Sequence, residues 1–352
     1  MADINFELNN PQAVKLWAAK AAKEAIKKTY LNKFTGKDED SLIQIFGDTN
    51  KSSGDRIRVP LEMALTGAGV SGDNTLEGNE EAITYYYDDL VINQKRHAVS
   101  VAGRMTEQRS LLPLRENARR RLQNWIAELL DYSLMNHLAG NTNADGSTLL
   151  KSNGNVAVTA PSSGNIIYHG AGAASDASLS TTATFTIDLL DKGKEKAETS
   201  TPMIRPLMID GEEKYVCFMH NYQVYDMRVS SATTTGQWFD INKAALMGGE
   251  GSKNPIYTGA LGEYNGIILH RSFRMPSMAT NTRRAVLCGA QAGILAFGQE
   301  SGLNKLTWVE EEKDYKNKFS VGAGLIYGLK KAVYNSADFA TVVLATYAAA
   351  HS

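Results

Sequence analysis

Cysteine is scarce: the 352 residues include two, Cys217 and Cys288. Both sit in apolar, strand-like runs and read as reduced core thiols, which excludes a disulfide-stapled scaffold. Two isolated cysteines also cannot build a structural zinc site. The histidines at 97, 137, 169, 220, 270 and 351 never fall in a ligand spacing such as H-x-x-x-H, so no metal is expected. No apolar run approaches the ~20 residues of a membrane span, and no basic start leads into a hydrophobic segment. A cytosolic origin with no membrane partner is the expectation. Neither sign of charge is in excess, with 37 Lys and Arg against 38 Asp and Glu. Whole-molecule attraction to nucleic acid or anionic lipid is thereby excluded, and contacts between local charged patches are favoured. No repeat of solenoid period is present.

Catalytic patterns are equally thin. GGEGSK at 248–253 lacks the frame of a phosphate loop, and Gly322-Ala323-Gly324 is a dinucleotide fragment with strand on both sides. No G-x-S-x-G elbow occurs. A thiol–imidazole pair, Cys288 with His97 or His270, stays open as a nucleophile and base. Tyr85, Tyr86 and Tyr87 with Lys95 and Arg96 suggest base stacking, but the surrounding acids oppose phosphate. No enzyme, catalytic residue or cofactor is expected.

What the chain does have is one long helical pattern, Pro113 to His137. Proline suits the first turn and Gly140 the stop. Leu114, Ala118, Leu122, Trp125, Leu129 and Tyr132 recur at three- and four-residue steps as one apolar stripe. Arg115, Arg119, Arg120 and Arg121 crowd the end where the helix dipole disfavours cations. One reading is a solvated face partly offset by Glu116; the other is a docking site for an acidic surface.

Residues 1–50 read as an arm. Asn10-Pro11 starts a helix whose thin stripe of Val14, Trp17, Ala18, Ala21 and Ala25 must lie on another protein surface. Lys15, Lys20, Lys23, Lys27 and Lys28 cover the rest of it. Residues 51–105 alternate as two strand regions around a Gly-rich, acidic tip. Such a hairpin is too extended to bury itself. Asp73, Glu77, Glu80, Glu81, Asp88 and Asp89 make it a match for the helix arginines, within one subunit or between two.

Residues 140–182 are dominated by Gly, Ser, Thr, Asn and Ala. They are the weakest stretch for structure, either a linker or a loop or small hairpin lying over a surface. Thr186 is expected to cap a helix from Ile187 to Glu198. Strands follow at 206–209 and 215–219 around Asp210-Gly211, then helices at 221–229 and 241–246. Further strands are expected at 266–270 and 285–289 and in two runs between Phe319 and Ala350. Strands early, a helix, then strands at the end make an α+β fold built discontinuously.

Several runs resemble a known family. Arg56, Val59, Pro60 and Leu61, GDNTLEGNEEA, INQKRHAVSVAGRMTEQR, DGEEKYVCFMHNYQVYDMR, NPIYTGALGEYNGIILH, CGAQAG, EEEKDYKNK and YGLKKAVYN are similar to major capsid proteins of tailed phages, in the N-four-type podophage branch. The likeness spans about residues 50–345 in order. It implies a Hong Kong 97-like fold: arm 1–50, extended loop 51–105, peripheral domain 106–199 with spine helix 113–137 and inserted loop 140–182. An axial domain at 200–298 and returning strands at 299–352 complete it.

Function implied by the resemblance is self-assembly as hexamers and pentamers of an icosahedral shell around double-stranded DNA. The virion would be built in the host bacterial cytoplasm, with portal and scaffolding or decoration proteins as further partners. DNA contact would be non-specific, with the arm lysines as inner-surface contributors. The acids and helix arginines named above would meet between subunits. The founding capsid of the fold crosslinks through a lysine in the extended loop; residues 70–94 here contain none, so no self-crosslinking is expected. An encapsulin-like nanocompartment and a soluble enzyme are the alternatives.

Overall fold

A computed structural model describes residues 29–46, 54–63, 65, 67–110, 114–170, 172–209, 211–234, 262–298 and 306–351. The arm helix with its lysines 15, 20, 23, 27 and 28, Pro113, the 241–246 helix and the 248–253 loop lie outside the described residues.

The first strands are β1 (Thr35–Gly36), β2 (Ile43–Phe46), β3 (Arg56–Glu62), β4 (Tyr85–Val91) and β5 (Asn93–Ser100). Helices α1 (Arg104–Arg109) and α2 (Leu114–Ala139) follow, then β6 (Ile166–Tyr168) and α3 (Ile187–Thr199). Next come β7 (Leu207–Ile209), β8 (Glu212–Met219) and α4 (Asn221–Thr234), which runs five residues beyond the expected Val229. The remaining strands are β9 (Glu263–Tyr264), β10 (Ile267–Arg271), β11 (Ser277–Ala279), β12 (Thr282–Cys288), β13 (Gly293–Phe297) and β14 (Thr307–Lys313). The last are β15 (Lys318–Lys331), β16 (Val333–Tyr334), β17 (Ala337–Asp338) and β18 (Thr341–Tyr347).

Two sheets carry the core. One has the order β1-β2-β13-β15-β14, with β5 also on β15; the other has β6-β18-β12-β8-β10-β9, with β7 on β8 and β11 on β12. Near-continuous apolar runs, such as Val342 to Ala345 in β18, are buried on both faces, as a central strand requires. Sheet membership changes between Cys288, which pairs into the second sheet, and Gly293, which pairs with Ile43 in the first.

Helix α2 differs from the single stripe expected of it. Its N-terminal half is amphipathic, but from Leu129 onward every residue except Tyr132 is buried. Leu130, Leu134, Met135 and Leu138 pack into the same core as Leu329, Val286 and Leu344. Each fully buried leucine contributes about 1.5–3 kcal/mol. The expected stop holds: Gly140 adopts φ 63°, where a Cβ would strike the Pro161 ring. Its N–H donates to His137 O at 3.1 Å and that of Asn141 to Asn136 O at 2.9 Å, the paired bonds of a glycine-terminated helix. Thr186 stands at the N-cap of α3 but makes no side-chain capping bond.

Of the alternatives for 140–182, the segment is the loop lying over a surface, not a linker or a hairpin. The one strand among its described residues, β6, pairs parallel with β18 at the sheet edge, and its loops are fastened by side-chain donors. Asn136 Nδ2 donates to Leu150 O and Ser152 O, both at 2.9 Å. Asn155 Nδ2 reaches Asn93 O at 3.0 Å and Tyr327 O at 2.9 Å. Asn165 Nδ2 reaches Asp338 O and Thr341 O, each at 3.0 Å. Arg284 pairs with Asp176 at 2.6 Å and donates to Ala139 O and Gly140 O at 2.8 and 3.0 Å, closing the end of α2.

Candidate assembly surfaces

Strands β3 and β4 form an antiparallel pair running from Arg56 opposite Val91 to Glu62 opposite Tyr85. Period two sets its two faces. Val59, Leu90 and Ile92, with Ile57, Leu61 and Tyr86, face Ile294, Ala296, Ala332 and Tyr334 in a small second core. The hairpin base crosses β15 so closely that a Cβ on Gly328 would collide with the Val91 carbonyl.

Asp88 falls on that inward face, between Tyr86 and Leu90. It is 7% exposed and takes Lys330 Nζ on one oxygen, while Val333 N–H donates to the other at 3.1 Å. Lys330 also donates to Asp89 O at 2.9 Å. Asp89 faces outward, directly opposite Arg58, whose Nε and Nη2 grip its two oxygens at 2.8 and 3.1 Å. That fork holds the Asp89 carboxyl below its ordinary range and raises the Arg58 guanidinium. Both acids are therefore engaged within the chain: Asp88 locks the hairpin base and Asp89 ties its strands. Alternation in the sequence could have separated them, because Asp88 shares the parity of Tyr86 and Leu90.

The tip is different. Residues 71–85 are all exposed, including Asp73, Glu77, Glu80, Glu81 and the apolar Leu76, Ile83 and Tyr85. Glu81 accepts the Gly67 N–H at 2.7 Å and Glu80 the Gly78 N–H at 2.8 Å, so two of the acids shape the loop itself. Tyr87 is 57% exposed, with the Arg58 guanidinium 5.4 Å from its ring centre.

The arginines of α2 divide as well. Arg119 is 8% exposed and belongs to the subunit interior. Arg120 pairs with Glu116 one turn earlier at 2.8 Å, the compensated arrangement, while Arg121 is exposed. Arg115 lies on the helix, its side chain outside the described residues. Lys95 Nζ donates to Gly146 O at 3.4 Å, from the hairpin base toward the clamped segment.

The thiol–imidazole pair does not form. His97 lies against Trp125 with ring centres 4.9 Å apart, and His270 against Phe34 at 5.0 Å. Burial holds the Cys288 thiol well above its ordinary range, leaving it inert. Among the described residues no group of three or more His, Cys, Asp or Glu could hold a metal ion, and no helix is long and apolar enough to cross a membrane. A cavity of about 710 Å³ opens beside the end of α2, lined by Tyr132, Asn141, Phe273, Arg274, Met275 and Arg283 among others. Arg274 holds Asp131 there at 3.3 Å, and Arg283 donates to Met275 O at 3.2 Å.

An extended acidic hairpin, a long embedded helix and a chain that leaves and re-enters its sheets find their counterpart in one family. The family described as phage capsid protein matches residues 5–350. The chain belongs to it. This capsid protein is 28% identical over 366 residues to the major capsid protein of Pseudomonas phage KPP25, covering 94% of this chain and 92% of that one. The capsid of Ralstonia phage GP4 superposes with TM-score 0.79 at 31% identity, covering all of both chains. The Cyanophage Pam1 capsid asymmetric unit gives TM-score 0.74 at 22% identity, covering 99% of this chain and 100% of that one. The fold is Hong Kong 97-like. The capsid protein is thus a major capsid protein of a phage, a component of the virion built from copies of itself. The family decides for this reading over the nanocompartment shell.

Proposed function

We propose that the capsid protein forms hexamers and pentamers of an icosahedral shell around double-stranded DNA, with a purely structural and non-catalytic role. Rings of this kind need a surface on one subunit that fits a different surface on the next. The observation that carries the reading is the hairpin tip: residues 71–85 stand exposed with Leu76, Ile83 and Tyr85 among four carboxylates. Three large apolar side chains exposed on one loop and the strand end beside it make the kind of surface that marks an interaction site. A neighbour offering cations beside an apolar surface suits it, and Arg115, Arg120 and Arg121 at the start of α2 are the proposed cations. Arg119 and Asp88 leave the proposed contact because they are buried, and Asp89 because both its oxygens are held by Arg58; Arg120, although paired with Glu116, keeps its side chain exposed.

The domain division follows the arm, extended loop, peripheral and axial scheme, with two adjustments. The change of sheet between Cys288 and Gly293 supports ending the axial part there rather than at 298, and the pairing of β18 with β12 supports counting Thr341–Tyr347 with the axial sheet. Portal and scaffolding or decoration proteins remain proposed partners, and assembly in the host bacterial cytoplasm the proposed route. DNA contact, through the arm lysines, would be weak and non-specific, since the chain has no net positive charge. Lys95 at the hairpin base faces its own subunit, which supports shells without covalent crosslinks; denaturing gels of mature particles should show single chains.

The contact is tested by reversing Asp73 and Glu77 to lysine. Folded subunits that fail to form shells are expected, with recovery when Arg120→Glu and Arg121→Glu are added. Normal shells from the lysine variant alone overturn the docking reading.

A further inference from the structure

A second projection of the molecule holds a tyrosine in solvent at a cost in backbone strain. Strands β14 and β15 place Lys313 opposite Lys318, so Asp314 to Asn317 form a four-residue turn. Three successive residues of it, Asp314, Tyr315 and Lys316, have φ of 56°, 50° and 67°. That left-handed region is cheap for glycine and tolerable for aspartate; tyrosine and lysine meet it with a Cβ crowded against the carbonyl oxygen. The turn is nonetheless braced. Asn317 N–H donates to Asp314 O at 2.9 Å, and Asn317 Nδ2 to Asp314 Oδ2 at 3.2 Å. The Arg104 N–H donates to Asn317 Oδ1 at 3.3 Å, tying the tip to α1. On this brace Tyr315 is 105% exposed, and Met105 on α1 is 62% exposed. Strain kept at a position where the ring touches nothing in its own subunit marks a role outside that subunit.

We propose that the Asp314–Asn317 turn is an inter-subunit anchor, with the Tyr315 ring inserted into the surface of a second copy of the chain. The partner is a second copy because the protein assembles from copies of itself, and the inference rests on that reading. Tyrosine buries a large apolar area at the expense of two torsions and is enriched among the residues that dominate interface energy. A braced turn loses little freedom on docking. This anchor sits on a different hairpin from the acidic tip and works by a different force. Asp314 and Lys316 balance one another beside the ring, so the contact is insensitive to salt, whereas the acidic contact weakens as screening rises.

The test uses full-length chain carrying a photo-reactive benzophenone side chain at position 315, assembled into shells, purified and irradiated. Two-chain bands on a denaturing gel are expected, at the same yield in low and high salt. Single-chain bands alone, from intact irradiated shells, overturn the anchor and leave self-assembly standing. Failure of the unmodified chain to form any shell overturns the self-assembly reading instead. As a second arm, Tyr315→Asn suits the same backbone region and should keep the subunit's melting temperature. Its shell yield should fall about ten-fold while Tyr315→Phe stays near native. A native yield from Tyr315→Asn overturns the proposal.

Discussion

Two polar, glycine-bearing stretches of the capsid protein, 140–182 and 63–84, differ in where their hydrogen bonds go. In the first, Asn136, Asn155, Asn165, Lys331 and Arg284 all donate to backbone carbonyls of the segment or of the elements beneath it. In the second, the bonds close on the loop itself: Glu81 to Gly67, Glu80 to Gly78, Asn74 to Ser71. The chemistry of the side chains explains the contrast. A loop laid on a protein surface buries carbonyl oxygens that need donors, and asparagine, lysine and arginine supply them. Carboxylates only accept, and burying one requires a cation brought to it. Asp88 has Lys330 and goes inside. The four acids of the tip stand exposed in water instead, where a neighbour can reach them.

The largest effect should come from breaking the clamp at its charged point. Arg284→Met leaves Asp176 half-buried without its partner and α2 without its closing donor. A loss of about 3–5 kcal/mol is expected, read as a lower urea midpoint. A loss under about 1 kcal/mol would mean the clamp is decoration.

Acid should act next, through His137 beneath the same segment. The Asn153 carbonyl accepts from its Nε2 at 2.9 Å, so the neutral ring is the donor, and burial pulls its pKa down to about 4. The unfolded chain takes a proton below its ordinary 6.5, whereas the folded chain waits until about 4. Stability is therefore full above pH 6.5 and falls as the pH drops toward 4, by about 3 kcal/mol at most for this group. His220, held near 4 by burial and by Arg283, acts in the same direction. Urea unfolding at pH 7 and pH 4.5 measures the slope, and His137→Gln should flatten it. An unchanged slope in that variant would remove His137 from the account.

Asn165→Ala, which strips two carbonyls of their donor, is expected to cost about 1–3 kcal/mol in the same assay. The tip supplies the smallest effect on the subunit. Asp73→Lys with Glu77→Lys should move stability by no more than about 0.5 kcal/mol while abolishing shells. If the subunit itself melts early, the tip is part of the fold and the contrast between the two stretches collapses.

Much of the architecture was legible in the chain. The long helix and its Gly140 stop, the β3–β4 hairpin, the β7–β8 pair and the closing strands follow from spacing of apolar residues and turn chemistry, which are local properties. Other features required partners far away. Asp88 meets Lys330 across 242 positions and Asn165 meets Thr341 across 176. No window of sequence contains both members. For that reason the six acids and four arginines looked alike as letters. The parity of Asp88 and the four-residue spacing of Glu116 and Arg120 were nonetheless in the sequence; only packing decided that Arg119 is interior, that Lys330 meets Asp88, and that the tip acids and Arg121 face out.

The sequence by itself determined the long helix, the hairpin and several core strands, the acidity of the hairpin and the likeness to phage capsid proteins, while β2, β13 and β14 of the first sheet came only with the structure. Tertiary structure decided which charges remain to be satisfied and whether a Gly- and Ser-rich stretch is ordered. Periodicity reports one face of one element, whereas the fate of a charge depends on the element packed against it.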